Sequence, residues 1–398
     1  KSWYPSGASQ FNPSAVKVAR FHLGSGDGSW IDPATLRVRF KVVNTSSTQV
    51  LKLCSGPHCL FERLRILASG TQIEDISMHN RMHELFRKVL MPPDWVINEA
   101  VESGMQVSPA SLYDPVTPME IPPGGYATLN LTPLCALLSA GRHLPLQFCP
   151  LTIELTLGDV AAALAPGTTG SYEIEAMSIR ASTILLDSAL QSSYAQMMLQ
   201  NRALVIPLRC LHVQQQAVPA NQSELQIQSI RAFSRLNAIF YTFLNRETGS
   251  NPDYTHQTVS FVNPSAKTNT FVDANSYEEF TLEWILQHGS KLIPEAPSSS
   301  LAESFSVLRE AVGIVDESIR VLNISPNTYK LQKFCIDVPM MKVPGVFSSG
   351  TNSRSGDITT LTVKNLDPNS AGGVGRVITC YVAESLLEVR SSGVSLMD

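Results

Sequence analysis

Apolar and polar positions alternate with period two along much of the chain. From Leu36 to Val42, the residues Leu36, Val38, Phe40 and Val42 fall on one face and Arg37, Arg39 and Lys41 on the other. That is the pattern of a half-buried antiparallel strand, whose successive side chains point to opposite sides. Leu151 to Leu157 repeats it, with Leu151, Ile153, Leu155 and Leu157 alternating with Thr152, Glu154 and Thr156. Between Tyr172 and Ala181 the apolar parity switches, from Tyr172 and Ile174 to Met177 and Ile179, which predicts a bulge in one long strand. Further strands are predicted over 204–213, 225–232, 238–244, 258–262, 358–363 and 377–389.

Helical spacing is confined to three segments. In 77–90, Met78, Met82, Leu85, Phe86, Val89 and Leu90 form one stripe of a 3.6-residue repeat. In 188–200, Leu190, Tyr194, Met197 and Met198 do the same behind Asp187, a capping residue. The third opens with a capping-box pattern, Ser300 to Glu303, carries Leu301, Phe305, Leu308 and Val312, and is predicted to stop at Gly313. Prolines and glycines gather in long stretches, 91–125, 296–300 and 347–356, and a long loop in a compact domain is usually a contact element. Each half of the chain shows strands, a long loop, a short helix and a closing strand pair, so the pattern predicts a duplicated β-sandwich with its boundary near 188–203.

The 398 residues are ample for two such sandwiches. Only 16% are charged, against a usual figure of about 25%, which points to surface covered by partners. A balance of 30 Lys+Arg against 34 Asp+Glu gives a net charge of −4, with no broad basic field for nucleic acid. No apolar run reaches the roughly 18 residues that cross a bilayer. Lys1 to Pro5 shows no apolar signal-peptide core, so secretion is not expected, and the absent initial Met indicates processing or trimming. The 7 cysteines are irregularly spaced and read as reduced, mostly buried thiols, and the sequons at Asn44, Asn130, Asn221 and Asn323 as chance matches.

Candidate chemistry is sparse. His79 and His83 stand four apart on a predicted helix, as two metal ligands would, with Cys54, His58 and Cys59 nearby. A zinc-hydrolase helix has Glu directly after the first His, whereas Asn80 follows His79, so packing roles are favoured and no metal is assigned. Gly24, Gly26 and Gly28, and Gly372, Gly373 and Gly375, lack the Lys-Ser/Thr of a phosphate loop and read as loop tips. No nucleophile elbow occurs, so neither catalytic nor cofactor-binding residues are assigned. Arg37, Arg39 and Lys41 with Arg63 and Arg65 could meet phosphates, but a solvated sheet face or a rim of salt bridges is the commoner use. Met197 and Met198 read as core.

Two segments carry a family resemblance. Ser55-Gly56-Pro57, Leu60 to Gly70, Gln72 to Ile76 and Asn80 to Phe86 resemble a stretch of the major capsid proteins of polinton-like viruses and their relatives, and Leu144-Pro145-Leu146 with Pro150 to Leu155 is similar to a late strand of their first jelly roll. Both lie in the first half. The resemblance implies an all-β chain of two tandem eight-stranded jelly-roll sandwiches with a few short helices and long loop insertions, the fold of adenovirus hexon and virophage capsids. It implies an extended N-terminal arm at 1–13, a first jelly roll at 14–190, a connector at 191–203 and a second at 204–398, with 91–125 and 245–300 as the main insertions. The arm is expected to reach a neighbour or the shell interior.

By the same resemblance the function is that of a major capsid protein of a DNA virus, forming pseudo-hexameric homotrimers that tile an icosahedral shell, without enzymatic activity. Its partners would be itself, penton proteins and minor capsid or cement proteins, with no sequence-specific nucleic acid; contact with an internal membrane is left open. A two-domain glycan-binding lectin or adhesin, and a minor capsid or penton protein, are the alternatives.

Overall fold

The structure is a computed structural model and describes residues 1–24, 26–90, 102–107, 116–246, 256–265, 282–315, 322, 324, 326–331, 333–343, 346–354, 356–366 and 373–397. It divides into two compact units. The first comprises Lys1–Glu84, Asp94–His212 and Ser385–Asp398, and the second Leu85–Pro93 and Val213–Glu384.

In the first unit the chain forms β1 (Ser2–Trp3), β2 (Gln10–Phe11), β3 (Val18–Leu23), β4 (Arg37–Asn44), β5 (Phe61–Ala68), β6 (Thr71–Ser77), α1 (His79–Leu90), β7 (Tyr126–Leu131), β8 (Leu151–Leu157), β9 (Tyr172–Arg180) and α2 (Ser188–Leu199). One antiparallel sheet runs β1-β9-β4-β7, with β2 also on β9, and the other runs β3-β8-β5-β6. The alternation predicted for β4 and β8 is observed: Val38, Phe40, Val42, Leu151, Ile153, Leu155 and Leu157 are all buried. Phe40 meets Phe61 edge to face with ring centroids 5.3 Å apart, so the inner faces of the two sheets share one core. Each such side chain contributes about 1.5–3 kcal/mol by leaving water. In β9 the register shifts between Glu175 and Ser178, and Ala176 takes a φ of 50°. This bulge turns Met177 and Ile179 back inward after Tyr172 and Ile174, as the parity switch predicted.

The chain continues with β10 (Leu204–Ala217), whose residues from Val213 on belong to the second unit, then β11 (Glu224–Gln228), β12 (Leu236–Asn245), β13 (Glu283–His288), β14 (Lys291–Ser298), α3 (Leu301–Val315), β15 (Ile336–Pro339), β16 (Thr359–Lys364) and β17 (Val374–Arg390), and β18 (Gly393–Met397), counted with the first unit, follows as a hairpin on β17. The second unit's sheets run β10-β17-β12-β15 and β11-β16-β13-β14. β12 is buried on both faces from Leu236 to Leu244. Phe86 packs on Phe240 from the second half of α1, and Trp284 Nε1 donates to Ser304 Oγ at 2.9 Å, fastening α3 to β13.

Both predicted caps form. Asp187 accepts from Leu190 N at 2.7 Å, and Ser300 Oγ accepts from Glu303 N at 3.1 Å. Several expectations are corrected. Residues 258–262 form a turn and loop rather than a strand, with Thr258, Ser260 and Phe261 buried without a ladder. α3 runs past Gly313 to Val315, a single glycine costing a helix only about 1 kcal/mol. The segment 245–300, expected as an insertion, contains β13 and β14, which belong to the second unit's sheet. Within 91–125 two short strands, Met105–Val107 and Val116–Pro118, pair, while 91–101 and 108–115 lie outside the described residues. Residues 2–3 and 10–11 lie along their own unit's sheet edge, with Trp3 and Phe11 buried. The Asn44 amide donates to the carbonyls of Gln49, Ile121 and Pro122 at 2.8–3.1 Å, a buried role that excludes a glycan there.

Candidate functional site

The histidines singled out by spacing do come together. α1 begins in the core of the first unit and presents His79 and His83 beside His58, which sits on the single turn Pro57–Leu60. The rings of His58 and His83 stack at 4.3 Å, and His79 lies edge-on to His83 at 5.7 Å. Glu84 Oε2 accepts from Ser55 Oγ at 2.7 Å and pairs with His58 Nε2 at 2.9 Å, and His83 Nε2 donates to the carbonyl of Thr132 at 3.0 Å. The cysteines turn elsewhere: Cys54 and Cys59 direct their thiols at the carbonyls of Ala162 and Ala163. Among the described residues no three His, Cys, Asp or Glu side chains are placed to hold a metal ion.

The electrostatics are those of a dry interior. Burial, with His58 adding to it, lowers His79 to about 3 and His83 well below its ordinary value. Burial alone brings Arg81 down to about 9. Glu74 is raised by burial to about 7, although its two carboxylate oxygens accept the amides of Ala136 and Leu211, each at 2.7 Å. In the second unit Asp337 is pushed up by burial and accepts from the Cys335 thiol at 3.0 Å. Each of these groups is buried, and the hydrogen bonds of Glu74 and Asp337 brace the backbone of Ala136 and Leu211 and the Cys335 thiol.

The basic residues separate. Arg37, Arg39 and Lys41 lie on β4 and Arg63 and Arg65 on β5, in different sheets. Arg63 makes a forked pair with Asp75 on β6 at 2.7 and 2.6 Å, Arg65 approaches Glu154 on β8 at 3.5 Å, and Lys41 pairs with Glu175 on β9 at 3.3 Å. These are cross-strand ion pairs on solvated sheet faces. Gly28, with φ +72°, sits in a loop, whereas Gly375 lies within β17, where a Cβ would come within 2.9 Å of the Arg246 Cα; Gly372 lies outside the described residues. Met198 is buried, but Leu190 and Leu199 on the same helix are exposed, so α2 rides on the surface.

A hollow of about 250 Å³ lies between Gly28, Trp30, Gln147, Phe148, Gln191 and Tyr194. Trp30 is buried and its ring is tilted against Tyr194 at 4.8 Å, so it offers no open aromatic face for a sugar ring. What remains prominent is the architecture. Counting β1 and β2 as one position, the eight strand positions of each unit are ordered 1-8-3-6 in one sheet and 2-7-4-5 in the other, with a helix between positions 5 and 6 both times. The duplicated sandwich expected from the repeated order of elements is thus observed, although the two-residue strands β1 and β2 were not among the predicted strands.

No family model matches the chain, and no curated protein is similar to it in sequence. Solved structures are similar over nearly the whole length. The PBCV-1 virus capsid protein superposes with a TM-score of 0.63 at 12% identity, covering 100% of this chain and 95% of that one. The Faustovirus major capsid protein gives 0.57 at 9% identity, with coverage of 98% and 90%. The mavirus major capsid protein gives 0.50 at 10% identity, with coverage of 100% and 89%. The chain has the double jelly-roll fold. Within the double jelly roll, edge strands are blunted: β14 carries Pro294 and Pro297, and β6 is lined by β18, where Thr71 Oγ1 donates to the carbonyl of Val394.

Proposed function

We propose that the chain is a major capsid protein: a structural, non-enzymatic subunit of the virion of a DNA virus, forming homotrimers whose six jelly rolls imitate a hexagon and tile an icosahedral shell. The observation that carries this reading is the duplicated strand order in one chain, aligned end to end with capsid subunits. Three copies of a two-sandwich chain supply six similar bodies around one axis, and closed symmetric trimers then join through weaker lateral contacts. The low charge fraction suits flanks buried against further copies. In this reading 14–190 and 204–398 hold the two jelly rolls and 191–203 their connector, with 1–13 laid along the first roll's sheet, a division that limited proteolysis tests. Penton, minor capsid and cement proteins are the further partners.

Light scattering on the purified chain tests the assembly. A stable species of about 130 kDa, three copies of 43.4 kDa, with hexagonal outlines in negative stain supports it. A monomer at all concentrations overturns it. Scarcity of the chain in purified particles assigns it to a minor or penton position instead.

A further inference from the structure

One end of the second unit gathers features that assembly through its flanks does not use. Ser229 and Gly289 donate their amides to the carbonyls of Thr359 and Ile358 at 2.9 and 3.2 Å. β11 ends at Gln228, β13 ends at His288 and β16 begins at Thr359, so the described connecting residues 229–235, 289–290, 341–343, 346–354 and 356–358 converge at the same end of the sheet. They are braced. Ser353 N donates to the carbonyl of Phe233, and Phe233 N donates to Ser353 Oγ, both at 2.8 Å; Leu236 and Thr351 exchange two amide bonds of 2.9 Å.

Four branched aliphatic side chains face solvent on these connections: Ile230 is 84% exposed, Ile358 62%, and Val343 and Val346 each 52%. One exposed aliphatic needs no explanation, but four on one braced end do. The same segments carry the exposed Arg231, Lys342 and Arg354 and the half-buried Arg235, with exposed Lys291 beside the turn, against one acid, Asp357. The rest of the chain therefore carries the acidic excess behind the net charge of −4. The excess of cations is not built into the fold either, because the equivalent connections of the first unit, 24–36, 69–70 and 132–150, carry Arg142 against Asp27 and Asp32.

We infer that this end of the second unit docks on an anionic lipid surface. Exposed isoleucines and valines enter the boundary between headgroups and acyl chains, and each neighbouring cation adds about fivefold in affinity for an anionic leaflet. A nucleic acid would engage the cations but gain nothing from the aliphatics, and a protein hot spot favours aromatic anchors in pockets. The attachment is peripheral, since among the described residues no helix is long and apolar enough to cross a membrane.

The test is flotation of the purified full-length chain with phosphatidylcholine vesicles, with and without about one third phosphatidylserine. The chain should float with the anionic vesicles alone and be released by salt. Ile230→Ser with Ile358→Ser, and separately Lys291→Glu with Lys342→Glu, should each lower the bound fraction about tenfold while leaving the light-scattering mass unchanged. Failure to float, equal flotation on both vesicles or unaffected variants would overturn the inference. Displacement from vesicles by an oligonucleotide duplex, with duplex binding kept by the serine variant, would transfer the surface to nucleic acid. Because mass and flotation are read separately, this inference and the capsid reading fail independently.

Discussion

Replacing His79 by leucine isolates one group in the buried histidine cluster and makes its effect on acid stability measurable. His79 is fully enclosed, and burial outweighs the backbone hydrogen bonds with Phe61 and Leu134 that favour its charged form. In the unfolded chain the imidazole takes up a proton below its ordinary value of 6.5; in the folded chain it does so only near 3. Between those limits the unfolded state holds more protons, so stability falls as pH falls. At about pH 5 the separation from 6.5 is roughly 1.5 units, which at 1.36 kcal/mol per unit is about 2 kcal/mol. His83, lowered by the same burial, acts in the same direction. Glu74, raised to about 7, opposes them, because its folded form takes up a proton first as the pH drops.

Comparing His79→Leu with the wild type cancels the groups common to both. Urea unfolding at about pH 7 and about pH 5, at one protein concentration, should show the wild type losing about 2 kcal/mol more than the variant between the two conditions. Parallel losses in the two proteins would refute the argument that His79 is neutral because it is sealed from water.

Other substitutions test other parts of the account by equilibrium denaturation. Glu74→Gln should cost about 1–3 kcal/mol, because an amide offers one acceptor oxygen where the amides of Ala136 and Leu211 need two. Leu155→Ala, at a fully buried position of β8, should cost about 2–5 kcal/mol, and a smaller loss would mean that the sheets are not closely packed there. Ser300→Ala should cost about 1 kcal/mol through the lost cap of α3. Arg63→Ala should cost less than about 1 kcal/mol despite its short forked contacts, since the side chain is half in solvent.

Strands were legible where one face is buried and the other wet. β4 and β8 show clean alternation, and the bulge in β9 left its mark as a parity switch. β12 was predicted as a strand over 238–244, but its burial on both faces leaves no alternation from which a buried side could be told. β1 and β2 pair only two residues each with β9 and fall below any window. The run at 258–262 shows the converse: apolar character reports burial, and loops are also buried where a helix and strands cover them. For the site, spacing along α1 placed His79 and His83 on one helix, but the direction of the Cys54 and Cys59 thiols depends on the carbonyls of Ala162 and Ala163, more than a hundred residues away. The cationic aliphatic end of the second unit was invisible for a related reason. Ile230, Ile358, Lys291 and Lys342 become neighbours only through the strand order.

The first unit contains the chain's last stretch, Ser385–Asp398, including β18. The contact of this stretch with β6, Thr71 Oγ1 on the carbonyl of Val394, is therefore among the most distant in sequence, and such non-local contacts form slowly. Removing 385–398 would uncover the edge of β6, 323 residues earlier at Thr71.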